Sequence, residues 1–141
     1  MSPEQNKAIT RRIVAALSQG DLSVIDELFA ANYVEHAAPP DFPPGREGVK
    51  QFFSAVHAAF PDFSYTIDDE IVEGDKVVQR VTGRGTMRGE FMGMPATGKQ
   101  AAWTEIHVAR LVDGKVVEHW ANIDQLGMLQ QLGLVPMPGQ A

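Results

Sequence analysis

The sequence predicts an α+β fold: a curved, mostly antiparallel sheet covered by three N-terminal helices, with a short helix at the C-terminus. Apolar residues recur at helical spacing as far as Pro61, whereas two-residue alternation takes over from Phe63 to Asp124. No internal repeat or linker divides the chain. Its 141 residues suit one domain (1–141) with one core. A curved sheet closed by helices makes a cone with a cavity inside.

Ser2-Pro3-Glu4-Gln5 opens the first helix: Ser2 can cap, Pro3 suits the first helical position, and Gln5 completes a capping box. Ile9, Ile13, Ala16 and Leu17 share one face, and Gln19-Gly20 ends the helix. Asp21 can cap a short second helix with Leu22, Ile25, Leu28 and Phe29 inward. Tyr33 to His36 is extended, and the proline-rich stretch from Ala37 to Gly45 is loop. The third helix runs from Arg46 to Ala59 and stops at Pro61. Strands follow: one ending near Val72, a turn at Glu73-Gly74-Asp75, then Lys76 to Met87. In the latter, Gly83 and Gly85, followed by Gly89, suggest bending or close backbone approach. After a loop from Phe91 to Lys99, two strands, Gln100–Val112 and Lys115–Asp124, are joined by Asp113-Gly114, a strong hairpin signal. A helix from Gln125 to Leu132 closes at Gly133, and 136–141 is expected to fray.

Composition excludes several functions. A formal net charge of -6 argues against a nucleic-acid partner, which would call for clustered Lys and Arg. With no Cys there is no disulfide, thiolate nucleophile or Cys-based metal site. The N-terminus lacks the apolar stretch of a secretory signal, and no apolar run approaches the roughly 20 residues of a membrane span. These features lead to the expectation of a soluble cytoplasmic protein with no membrane partner. Gly93 to Gln100 imitates a phosphate loop, but Gln100 replaces the magnesium-holding hydroxyl and a strand follows where a helix is needed. The four histidines show no recognised metal-ligand spacing.

The densest chemistry lies in Trp120-Ala121-Asn122-Ile123-Asp124. Trp120, Asn122 and Asp124 share one strand face, as in the wall of a partly apolar pocket ending in a carboxylate. Alternatively, Asp124 only caps the last helix. Hairpin register decides their neighbours. A two-residue type I′ loop places His107 opposite Trp120, Glu105 opposite Asn122 and Trp103 opposite Asp124. A type I turn with a G1 bulge instead puts Arg110, Val108, Ile106 and Thr104 on the Asp124 face and sends His107 to the other side. The sequence permits both. His36 is expected at a pocket rim and His57 on the surface. Arg80 is either an exposed sheet residue or a buried partner for a carboxylate.

Several stretches together resemble the SnoaL-like polyketide cyclase (ester cyclase) family, within the nuclear-transport-factor-2-like and ketosteroid-isomerase-like fold. They are Tyr33-Val34-Glu35-His36, Gly45 to Val49, Phe60-Pro61-Asp62-Phe63, Glu73 to Val78, Gly89 to Gly93 with Thr97-Gly98-Lys99, and Asp113 to Trp120 followed by Asp124 and Gln131-Leu132-Gly133. The resemblance implies a cone-shaped α+β barrel with a deep apolar pocket, usually a homodimer or larger assembly. It also implies acid–base chemistry without cofactor or metal. An Asp matching Asp124 is the general acid/base of an intramolecular aldol closure in such cyclases, and a pocket His corresponds to His107. Under this reading Asp124 and His107 are catalytic. His36, Trp103, Trp120, Asn122 and Arg80 would contact a small apolar carbonyl compound, including polycyclic ones. The fold also hosts non-catalytic binders, epoxide hydrolases and dehydratases, so enzyme and binding protein both stay open.

Overall fold

The computed structural model describes residues 2–136 and residue 139, so most of the tail expected to fray lies outside the described residues. The first helix, α1 (Pro3–Ser18), starts on the expected capping box. Gln5 N–H donates to Ser2 Oγ at 3.1 Å, and Ser2 N–H donates to Gln5 Oε1 at 2.8 Å. Helix α2 (Ser23–Leu28) is shorter than its apolar pattern suggested. Phe29 leaves it to begin strand β1 (Phe29–Glu35), which carries Tyr33 and Glu35. Helix α3 spans Arg46–Ala59, as its periodicity predicts. Gly48, in its first turn, has no room for a side chain: a Cβ there would lie 1.7 Å from the Pro43 carbonyl oxygen. The proline loop therefore crosses directly over the start of this helix.

Four more strands complete one sheet: β2 (Ser64–Glu73), β3 (Lys76–Thr86), β4 (Gln100–Val112) and β5 (Lys115–Ile123). Helix α4 (Gln125–Gln131) follows. Strand order is β1-β5-β4-β3-β2. All neighbours are antiparallel except β1 and β5, which run parallel with Glu35 beside His119. The sheet curls without closing. Its concave face packs on the helices through buried Ile13, Leu17, Val49, Phe53, Val56 and Phe60. Full burial of each large side chain is worth about 1.5–3 kcal/mol.

Two glycines of β3 admit aromatic side chains to the concave face. A Cβ on Gly83 would meet the Trp103 ring at 2.8 Å, and one on Gly85 would meet Phe60 at 2.9 Å. The close approach expected of these glycines is thus to aromatic rings, and it fixes Trp103 flat against β3.

The β4–β5 hairpin combines both registers that the sequence allowed. Asp113 (φ 50°) and Gly114 (φ 80°) form the two-residue turn, with Val112 opposite Lys115. Pairing then shifts by one residue between Leu111–Val116 and Arg110–Glu118, a β-bulge. Beyond it His119 faces Ala109, Trp120 faces Val108, Ala121 faces His107 and Asn122 faces Ile106. The slip turns His119, Ala121 and Ile123 to the concave side, and Trp120 and Asn122 to the convex side.

Candidate active site

The concave face and the helices enclose a cavity of about 470 Å³. That volume suits a small organic molecule. Phe29, Phe52, Phe53, Phe63, Phe91 and Trp103 are among its walls, and the proline loop (Ala37 to Pro43) flanks it. No Asp, Lys or Arg lines it among the described residues. Its ionisable groups are two glutamates, two histidines and two tyrosines.

These six groups form one hydrogen-bonded chain over β4, β5 and β1, which Tyr65 joins from β2. Glu105, only 3% exposed, has three hydrogen-bond partners. Trp103 Nε1–H donates to its Oε2 at 2.7 Å, and Tyr65 O–H donates to its Oε1 at 2.9 Å. His107 Nε2 is 2.6 Å from the same Oε1. His107 Nδ1 lies 2.8 Å from His119 Nε2, with the rings stacked at 28°. His119 Nδ1 reaches Glu35 Oε2 at 2.6 Å. Glu35 in turn accepts from Tyr33 O–H at 2.8 Å and from Ala37 N–H at 3.2 Å.

Burial pushes the Glu35 carboxyl up, but the bonds and charge of His119 and the Tyr33 and Ala37 donors outweigh it, leaving Glu35 below the usual carboxylate range. Burial and the adjoining carboxylates push both phenols, Tyr33 by Glu35 and Tyr65 by Glu105, well above the ordinary tyrosine value. Both therefore stay protonated donors. Gln79, buried and paired with His107 across β3 and β4, donates its amide instead to Thr10 Oγ1 at 3.3 Å and Glu70 Oε2 at 3.1 Å.

Of the residues predicted from sequence, His107 and Trp103 line this cavity; the others do not. Asp124 is exposed at the start of α4, where its Oδ1 accepts from Gly127 N–H at 3.0 Å. It takes the capping position, because the bulge leaves its row on the convex side. Trp120 and Asn122 share that side for the same reason. His36 stacks on Trp120 (4.8 Å between ring centroids, 8° between planes) and bonds Glu118 at 2.8 Å, outside the cavity. Arg80 is exposed and lies 3.9 Å from Asp68. His57, expected at the surface, is half-buried with Nε2 2.6 Å from the Leu17 carbonyl.

Sequence reasoning missed Glu35, His119, Tyr33, Tyr65 and Gln79. Tyr33 and Glu35 did carry a signal, two polar groups two residues apart on an extended segment. His119 carried none, because its face depends on the bulge.

Fold and site together define a class: an α+β cone with an acid–base chain set into an apolar cavity. Residues 7–132 match the family model of SnoaL-like polyketide cyclases, and the chain belongs to that family. It is 33% identical over 129 residues to the aklanonic acid methyl ester cyclase DnrD of Streptomyces peucetius, covering 89% of this chain and 88% of that one. The nogalonic acid methyl ester cyclase of Streptomyces nogalater is 28% identical over 123 residues, covering 86% and 92%. Among solved structures, TsrD from Streptomyces laurentii superposes with a TM-score of 0.87 at 30% identity, over 96% of this chain and 99% of that one.

Proposed function

We propose that this protein is a cyclase that closes a ring in a small polyketide-type carbonyl compound by an intramolecular aldol reaction. The reading rests on one observation: the Glu105–His107–His119–Glu35 chain is the concentrated polar feature of an otherwise aromatic cavity. The reaction is an isomerisation. A base in the chain removes a proton alpha to a carbonyl, the enolate carbon bonds to a second carbonyl carbon, and the resulting alkoxide takes a proton back. Nothing is oxidised or reduced, so positioned proton donors and acceptors suffice. The aromatic walls hold the flat parts of the substrate.

Aklanonic and nogalonic acid methyl esters are the trial substrates, taken from the two relatives. Each should yield a product of unchanged mass with one new ring. His107→Gln, which breaks the hydrogen-bonded chain between the two carboxylates, should lower kcat by about 100-fold while the protein stays folded. Tight binding of both esters without turnover would favour the non-catalytic binder instead.

The same reading takes the protein as a homodimer joined through the convex face. Ile71, Val78, Val108 and Trp120 stand directly opposite one another across β2, β3, β4 and β5, and they form a continuous apolar row on that face.

A further inference from the structure

The three short gaps in the Glu105–His107–His119–Glu35 chain fix its proton content. Two bare ring nitrogens facing each other at 2.8 Å would repel, and two N–H groups would collide. One proton therefore sits between His107 Nδ1 and His119 Nε2. The outer gaps, each 2.6 Å, need one proton apiece by the same reasoning, since a carboxylate and a bare nitrogen are both acceptors. Two neutral imidazoles supply only two protons. With both carboxylates ionised, a third proton must be added, and it cancels one of the two negative charges.

The surroundings favour that single charge. Helix α1 contributes Thr10 to the cavity, α3 contributes only Gly48 and apolar side chains, β2 contributes Tyr65, and β3 contributes Gln79 between valines. Among the described residues no element brings a Lys or Arg to offset a second buried negative charge, whose desolvation would cost several kcal/mol. Each carboxylate accepts three hydrogen bonds, so each keeps one lone pair free. Glu105 is sealed, while the Glu35 side chain is 14% exposed beside the loop residues Ala37 and Ala38 that flank the cavity.

We infer that Glu35 is the catalytic base, and that it forms one end of a four-residue relay holding three protons and one negative charge. The inference rests on the acid–base reading of this cavity. Shifting the bridging protons moves the negative charge between Glu105 and Glu35 without any proton leaving. With the charge at Glu35, its free lone pair takes the substrate's alpha proton, and the C–H electron pair stays on carbon as the enolate. The chain then holds four protons and no net charge. After the carbon–carbon bond forms, Glu35 returns that proton to the alkoxide. His119, His107 and Glu105 act as positioning residues.

The relay is tested without any substrate by imidazole nitrogen and proton NMR on histidine-labelled protein. A proton shared between the two rings should give nitrogen–nitrogen coupling across the gap between His107 Nδ1 and His119 Nε2, and His119→Gln should abolish it. Should that variant not fold, the isosteric Glu35→Gln, read at the same resonances, should displace the His119 Nδ1 proton signal. Absence of any coupling between the two rings in the wild type would overturn the relay. The base assignment is tested separately on a trial ester that the wild type converts: Glu35→Gln should lower kcat by about 100-fold or more with KM nearly unchanged. Full turnover by Glu35→Gln would overturn that assignment. If the wild type converts neither ester, the cyclase reading fails, and the relay is still decided by the resonances.

Discussion

Replacing Asp124 by Asn separates a capping role from an acid–base role. The Asp124 carboxylate makes one visible bond, to Gly127 N–H at 3.0 Å, at the start of a seven-residue helix. Asn caps about as well as Asp, so Asp124→Asn forfeits chiefly the charge's interaction with the helix terminus, about 0.3–1 kcal/mol. Asp124→Ala removes the hydrogen bond as well and should cost about 1 kcal/mol. With an unfolding entropy of about 2.1 cal/mol/K per residue, a chain of this length loses about 3 °C in Tm per kcal/mol. Calorimetry should therefore show Asp124→Asn within about 3 °C of wild type and Asp124→Ala about 3 °C below it. Turnover of a trial ester should stay within about twofold in both, because neither change reaches the cavity. A loss of about 100-fold in Asp124→Asn at unchanged Tm would refute the capping assignment and restore Asp124 to the chemistry.

Two more outcomes follow from the same geometry. The Glu35 pKa is lower in the folded protein than its ordinary value, so its ionised form stabilises the fold above that ordinary value, and the contribution is lost as pH falls through the lower folded pKa. Urea midpoints of Glu35→Gln should accordingly fall less steeply than wild type on acidification across that range; parallel profiles would contradict the pairing with His119. On the convex face, Val108→Glu at the centre of the apolar row should convert a dimer to monomer in sedimentation equilibrium; a wild type that already sediments at 15.4 kDa would end the dimer reading.

Much of the frame was legible because its signals are local. The capping box at Ser2–Gln5, the span of α3 and the turn at Asp113-Gly114 each follow from a few neighbouring residues. The site was legible only in part, since it is built from non-local pairings. Trp103, Glu105 and His107 alternate on β4, and one of the two hairpin registers did group them as a pocket face. Glu35 reaches them through a parallel β1–β5 pairing that no short pattern encodes. The family resemblance brought the fold correctly but carried Asp124 into the pocket on sequence position alone, and sequence position does not record which face a strand residue takes.

The bulge is the step that joins local pattern to chemistry. Lys115 to Trp120 contains no Gly, Pro or Asn to mark it, and a continuous type I′ ladder would read equally well. In such a ladder His119 would point to the convex side and Trp120 to the concave side. Glu105 on β4 and Glu35 on β1 would then lose their link, because β5 lies between them. Two strand spacings amount to about 10 Å, too far for one imidazole to bridge two carboxylates. Two imidazoles in series are needed, one from β4 and one from β5. One extra residue between Val116 and Glu118 supplies the second, turning the even-numbered row that looked like a pocket wall outward and bringing His119 into line with His107. Deleting Val117 should therefore remove the bulge yet leave Glu118 to Asn122 opposite the same β4 residues, so that His119 stays beside Ala109 and the hydrogen-bond coupling between the two imidazoles survives; its loss would refute this account of the bulge.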